Sequence, residues 1–94
     1  YNCTGEPRKY ARIAQALGED TRDLPVSEAA DLAVTAATRL VQDLAIPPLA
    51  DMGIPAADIP MLAQLAFDDP QTAGNPRHLD VAAYEGIYRA CFGD

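Results

Sequence analysis

Residues 27–44 read SEAADLAVTAATRLVQDL, and their periodicity decides the fold class. Ala29, Leu32, Ala33, Ala36, Leu40 and Leu44 recur at helical spacing, with Val41 beside them. Asp31, Thr35, Arg39, Gln42 and Asp43 fall largely on the other side, as an amphipathic helix requires. Ser27 is placed to cap the start, with Glu28 and Asp31 near the positive end of the helix dipole. Pro47 and Pro48 end it, because a residue before proline is pushed out of the α region. At roughly eighteen residues this is the longest element and the spine of the domain.

Upstream, a polar opening leads to Pro7, a residue suited to the first helical position. Tyr10, Ile13, Ala14 and Leu17 form the apolar side of the helix that follows, and Gly18 offers a left-handed stop. The charged stretch 19–25 is a connection. Downstream, Leu49–Gly53 is a connector, and Ile54-Pro55 opens a third helix through Phe67. Asp58 can instead cap a helix beginning at Ile59, leaving Ala56 and Ala57 as a separate turn. The apolar face there is Ile59, Leu62, Ala63, Ala66 and Phe67. The fourth helix runs from Val81 to Phe92. Asp80 is its cap, Leu79 and Tyr84 have the spacing of a hydrophobic staple, and Gly93 ends it. Tyr84, Ile87, Tyr88 and Cys91 supply its buried stripe.

Composition agrees with an all-α chain. Ninety-four residues suffice for one modest core and form a single helical domain over 1–94. Of these, 49% are apolar, with Ala dominant, aromatics at 6% and no Trp, a mix that favours closely packed helices. The expectation is a small bundle of four to five helices. No apolar run reaches the roughly 20 residues of a membrane span, and the N-terminus shows no signal pattern, so the reading is a cytoplasmic protein. A net charge of −7 argues against nucleic acid and against an anionic membrane as partners. Cys3 and Cys91 lie near opposite ends without a Cys-x-x-Cys pair, and are read as structural or incidental thiols.

The least ordinary feature is the long loop 68–78, DDPQTAGNPRH, stiffened by two prolines and with Gly74 open to conformations closed to other residues. A calcium loop counted from Asp69 fails, because Ala73 stands where an oxygen ligand is needed and Asp80 where a bidentate Glu is needed. Asp68 and Asp69 lack a nucleophile or metal cluster beside them and read as solvated turn formers. His78 and Arg77 read as surface and loop-pairing residues. The chain has no Gly-rich phosphate loop, no Gly-x-Ser-x-Gly elbow and no His-Glu-x-x-His helix.

The order of motifs carries more than any one of them. Gly53-Ile54-Pro55, Asp58-Ile59-Pro60, Leu62-Ala63, Ala66, Asp69, Thr72, Gly74-Asn75-Pro76-Arg77 and Ile87-Tyr88-Arg89-Ala90 resemble the C-terminal end of the iron-containing alcohol dehydrogenases. Tyr1-Asn2 followed by Lys9-Tyr10-Ala11-Arg12-Ile13-Ala14 is similar to the stretch just after that family's last metal-binding histidine.

The resemblance implies the trailing part of a dehydroquinate-synthase-like helical domain in a larger enzyme. That enzyme would hold NAD(P) and Fe(II) between its two domains and interconvert a primary alcohol and an aldehyde. The family places its aspartate and three histidine ligands upstream of Tyr1, so the resemblance gives this chain no catalytic, cofactor-binding or metal-binding residue. The chain alone should be inactive. One pocket position carries over: where several members have a cysteine lining the substrate pocket, this chain has Gln71, whose amide favours a more hydrophilic substrate. Asn75 and Arg77 read as loop-structuring. The implied partners are the upstream helices and nucleotide-binding domain of the parent, with homo-oligomer formation left open. The alternative is a free-standing acidic helical module that binds a partner through an apolar groove. A fragment should expose the face that packs on the missing part.

Overall fold

The computed structural model describes residues 1–93, and among them regular structure is entirely helical. Four α-helices, α1 (Pro7–Ala16), α2 (Val26–Asp43), α3 (Ile59–Asp68) and α4 (Val81–Cys91), alternate with short 3-10 turns. The chain forms two compact units, Tyr1–Ile46 with α1 and α2, and Pro47 onward with α3 and α4.

In the first unit, Pro7 takes the first position of α1, where its missing N–H costs nothing. The helix closes as its sequence suggests. Gly18 turns left-handed at φ 90°, its N–H donates to Gln15 O, and the N–H of Glu19 reaches back to Ala14 O. The helix α2 starts two residues earlier than a Ser27 cap implies. Extended Pro25 is its cap residue, and the Pro25 carbonyl accepts from Ala29 N at 2.9 Å. Ser27 therefore lies inside the first turn and caps nothing. The C-terminal end repeats the α1 closure with a less suitable residue. Ala45 N donates to Gln42 O and Ile46 N to Val41 O, with Ala45 left-handed at φ 55°. A Cβ in that region costs about 1 kcal/mol, a strain the two bonds and the exit from the helix impose.

The buried apolar residues are mostly small: Ala14, Ala29, Ala30 and Ala33 in the first unit, and Ile59, Ala63, Leu79 and Phe92 in the second. Alanine lets helices approach closely, yet each methyl removed from water contributes only about 0.8 kcal/mol. Of the larger apolar residues assigned to the same stripes, Leu32 and Leu62 are half-buried and several others stay outside. Leu40, Leu44, Ile13, Leu17 and Phe67 are all exposed. Cys91, expected in a buried stripe, is exposed as well, and Tyr84, Ile87 and Tyr88 are half-buried. Both cysteines are free thiols, and Cys3 Sγ lies 3.8 Å from Ala30 O.

In the second unit the third helix begins at Ile59, and Ala56–Asp58 is a separate 3-10 turn, the second of the two readings its sequence allows. Asp58 holds the cap position without making a cap bond. Its backbone is already helical at φ −82°, ψ −8°, whereas a capping side chain needs the extended region. Asp80, extended at φ −102°, ψ 178°, does cap α4, accepting from Ala83 N at 2.7 Å.

Candidate functional site

The segment between α3 and α4 is ordered by its own side chains. Asp69 Oδ1 accepts from Gln71 N at 2.8 Å and opens a 3-10 turn over Pro70–Gly74, with Pro70 at its first position. Thr72 is the hub. Its hydroxyl donates to Ala66 O on α3 at 2.7 Å, and Tyr84 OH of α4 lies 2.7 Å from Thr72 Oγ1. A threonine hydroxyl has one hydrogen, so with that hydrogen on Ala66 O the Tyr84 phenol must be the donor to Thr72. The turn is thereby tied to both helices. Asn75 Nδ2 donates to Arg77 O at 2.6 Å, which fits the loop-structuring reading of Asn75.

Gly74 does not use the freedom its sequence offers. It closes the 3-10 turn outside the left-handed region, and a Cβ there would meet nothing within 4 Å. The acids of the loop have local roles: Asp69 caps the turn, and Asp68 Oδ1 accepts from Gln64 Nε2 at 3.1 Å. His78 and Arg77 are exposed.

Two open pockets flank the turn. One, of about 430 Å³, is lined by Ala66, Asp69, Gln71, Thr72, Gly74, Asn75, Pro76 and Tyr84. The other, of about 420 Å³, lies against Phe67, Asp68, Pro70, Ala73, Arg77, His78 and Leu79 and shares Asp69, Thr72 and Asn75. Gln71 lines only the first. Its side chain is exposed there, while its backbone N–H is committed to Asp69. The arrangement presents an amide on a braced turn. The pairing of Thr72 with Tyr84 across twelve residues escapes periodicity, and the only signal for it is a hydroxyl residue in the loop facing a tyrosine one turn into α4.

The described residues do not fit an iron site. No three of His, Cys, Asp and Glu come together among them in a way that would hold a metal ion. No helix among them is long and apolar enough to cross a membrane.

Residues 1–92 match the model of the Fe-containing alcohol dehydrogenase family, C-terminal. The chain is 46% identical over 92 residues to choline dehydrogenase of Bacillus subtilis, which covers 98% of this chain and 23% of that protein. It is 39% identical to 1,3-propanediol dehydrogenase of Citrobacter freundii, over 98% of this chain and 24% of that one. Lactaldehyde reductase of Escherichia coli is 38% identical with the same coverage. Among solved structures, a 1,3-propanediol oxidoreductase superposes with a TM-score of 0.94 at 36% identity, over 98% of this chain and 24% of that chain. The chain thus spans about a quarter of the length of the relatives it matches. It belongs to the Fe-containing alcohol dehydrogenase family, as that family's C-terminal helical part.

Proposed function

We propose that this chain works as the trailing part of a cytoplasmic, NAD(P)- and Fe(II)-dependent oxidoreductase that interconverts a primary alcohol and an aldehyde, with residues 1–94 acting as one helical domain. The observation that carries the reading is the family match across residues 1–92, together with relatives that are dehydrogenases and reductases of small alcohols and aldehydes. The metal and nucleotide belong to the remainder of such an enzyme, since the described residues offer no group of ligands for a metal, and the 94-residue chain alone is inactive. This chain's part is to brace a turn that presents Gln71 to the substrate. The amide can both donate and accept, which suits an alcohol bearing a second polar group.

A chimera tests this. The C-terminal quarter of the Citrobacter freundii 1,3-propanediol dehydrogenase is replaced by this chain, and alcohol-dependent nicotinamide reduction is measured with Fe(II) present. The chimera is expected to turn over and the isolated chain to give no signal. A folded, nucleotide-binding chimera without activity, or an active isolated chain, contradicts the proposal.

A further inference from the structure

The stripe that α2 buries continues past the point where burial stops. With ten residues α1 is about 15 Å long, and with eighteen α2 is about 27 Å. Ala29, Ala30 and Ala33 in the first half of α2 are buried. Towards the other end Arg39 meets Glu19 at 3.3 Å, and beyond it the stripe carries Leu40 and Leu44, 52% and 63% exposed, with Val41 and Ile46 exposed beside them. Four large aliphatics gathered at one helix end differ from scattered surface residues, which need no explanation. Met61 and Leu65 on α3, 55% and 61% exposed, form a smaller pair of two, lying by helical spacing on the side away from buried Ile59 and Ala63.

We propose that the C-terminal end of α2 and the residues that follow it, through Leu40, Val41, Leu44 and Ile46, are the docking surface for the family's upstream polypeptide. The inference rests on the reading that this chain is the trailing part of a longer enzyme. This chain spans 23% and 24% of its relatives, and it keeps a TM-score of 0.94 against the matching quarter of a solved one. A quarter that keeps its fold so closely meets the other three quarters through apolar surface, and this patch extends the chain's own core stripe. A second copy of the chain is the poorer occupant. Each copy carries a net charge of −7, so two copies repel.

The test compares the same substitutions in the 94-residue chain and in the chimera. Leu44→Ser and Leu40→Ser are expected to raise the unfolding constant less than about threefold in the chain alone and roughly tenfold or more in the chimera. As a second reading, Leu44→Cys is placed in a Cys3→Ser, Cys91→Ser background and its alkylation followed by peptide mapping. The rate should fall at least about tenfold in the chimera, by analogy with the protection of a desolvated interface residue. Equal effects and equal alkylation rates in a folded, active chimera overturn the docking surface and leave the trailing-part reading intact. A chimera that is folded but inactive overturns that reading instead. Self-association of the chain alone that Leu44→Ser abolishes assigns the surface to a second copy and overturns the proposal.

Discussion

Thr72 Oγ1 and Tyr84 OH lie 2.7 Å apart, and the single threonine hydrogen, spent on Ala66 O, fixes the direction of the bond between them. The two residues are therefore unequal partners. Thr72→Val removes a donor and an acceptor at once, leaving Tyr84 OH without its acceptor and Ala66 O with only the backbone N–H of Asp69. Tyr84→Phe leaves Thr72 still donating to Ala66. Urea unfolding should show a loss of about 1–3 kcal/mol for Thr72→Val, towards the lower end because the pair is only part-buried, and about 0.5–1 kcal/mol for Tyr84→Phe. Equal losses would show that the phenol does not depend on Thr72 as its acceptor.

Two aspartates in cap positions should differ in the same assay. Asp80 accepts from Ala83 N at 2.7 Å, while Asp58 makes no cap bond. Asp80→Ala is expected to cost about 1 kcal/mol, and Asp58→Ala less than about 0.5 kcal/mol.

Ala45 is left-handed at φ 55° in a closure that Gly18 performs for α1. Ala45→Gly relieves the strain of the Cβ and should stabilise the chain by about 0.5–1 kcal/mol. The same exchange reversed, Gly18→Ala, should destabilise by a similar amount. Thermal unfolding of the two variants checks the pair of opposite signs.

Among the described residues, Asp20 and Arg22 form a pair with a clear electrostatic signature. The Arg22 guanidinium bonds the Asp20 carboxylate at 2.9 and 3.0 Å, and Arg22 N adds a third bond at 3.1 Å, so the Asp20 pKa lies below the usual aspartate value. A carboxylate with a depressed folded pKa contributes stability above its unfolded pKa and loses it as pH falls through the folded one. Both groups are exposed, so the effect on stability is small and the titration itself is the useful readout. In an NMR pH titration the Asp20 carboxyl should titrate below the ordinary aspartate value, and Arg22→Gln should move it up towards that value.

Much of the helical frame is legible in residue order because its signals are local. Pro7 at a first helical position, Gly18 after a last turn and Asp80 before an apolar run each act within a few residues of backbone. Where the reading slipped, a competing local choice won. Pro25 outcompetes Ser27 because an extended proline carbonyl can accept the first helical bond, and helical backbone at Asp58 forfeits its cap. The ordered turn at Pro70–Gly74 lacks apolar periodicity, though Asp69 before Pro70 is a cap followed by a first-turn proline. The Thr72–Tyr84 bond joins residues that only the fold brings together. Nor does periodicity tell an apolar stripe with a partner from one without. Leu40 and Leu44 share a stripe with Ala29 and Ala33, yet the leucines are exposed and the alanines buried.

The central claim is that the turn braced by Thr72 and Tyr84 presents Gln71 to the substrate of an alcohol dehydrogenase. Its most direct test is the ratio of kcat/KM for 1,3-propanediol to that for 1-propanol in the chimera, before and after Gln71→Ala. Loss of one amide hydrogen bond to the second hydroxyl should lower that ratio roughly five- to tenfold, with 1-propanol turnover little changed. An unchanged ratio in an active chimera would contradict the account.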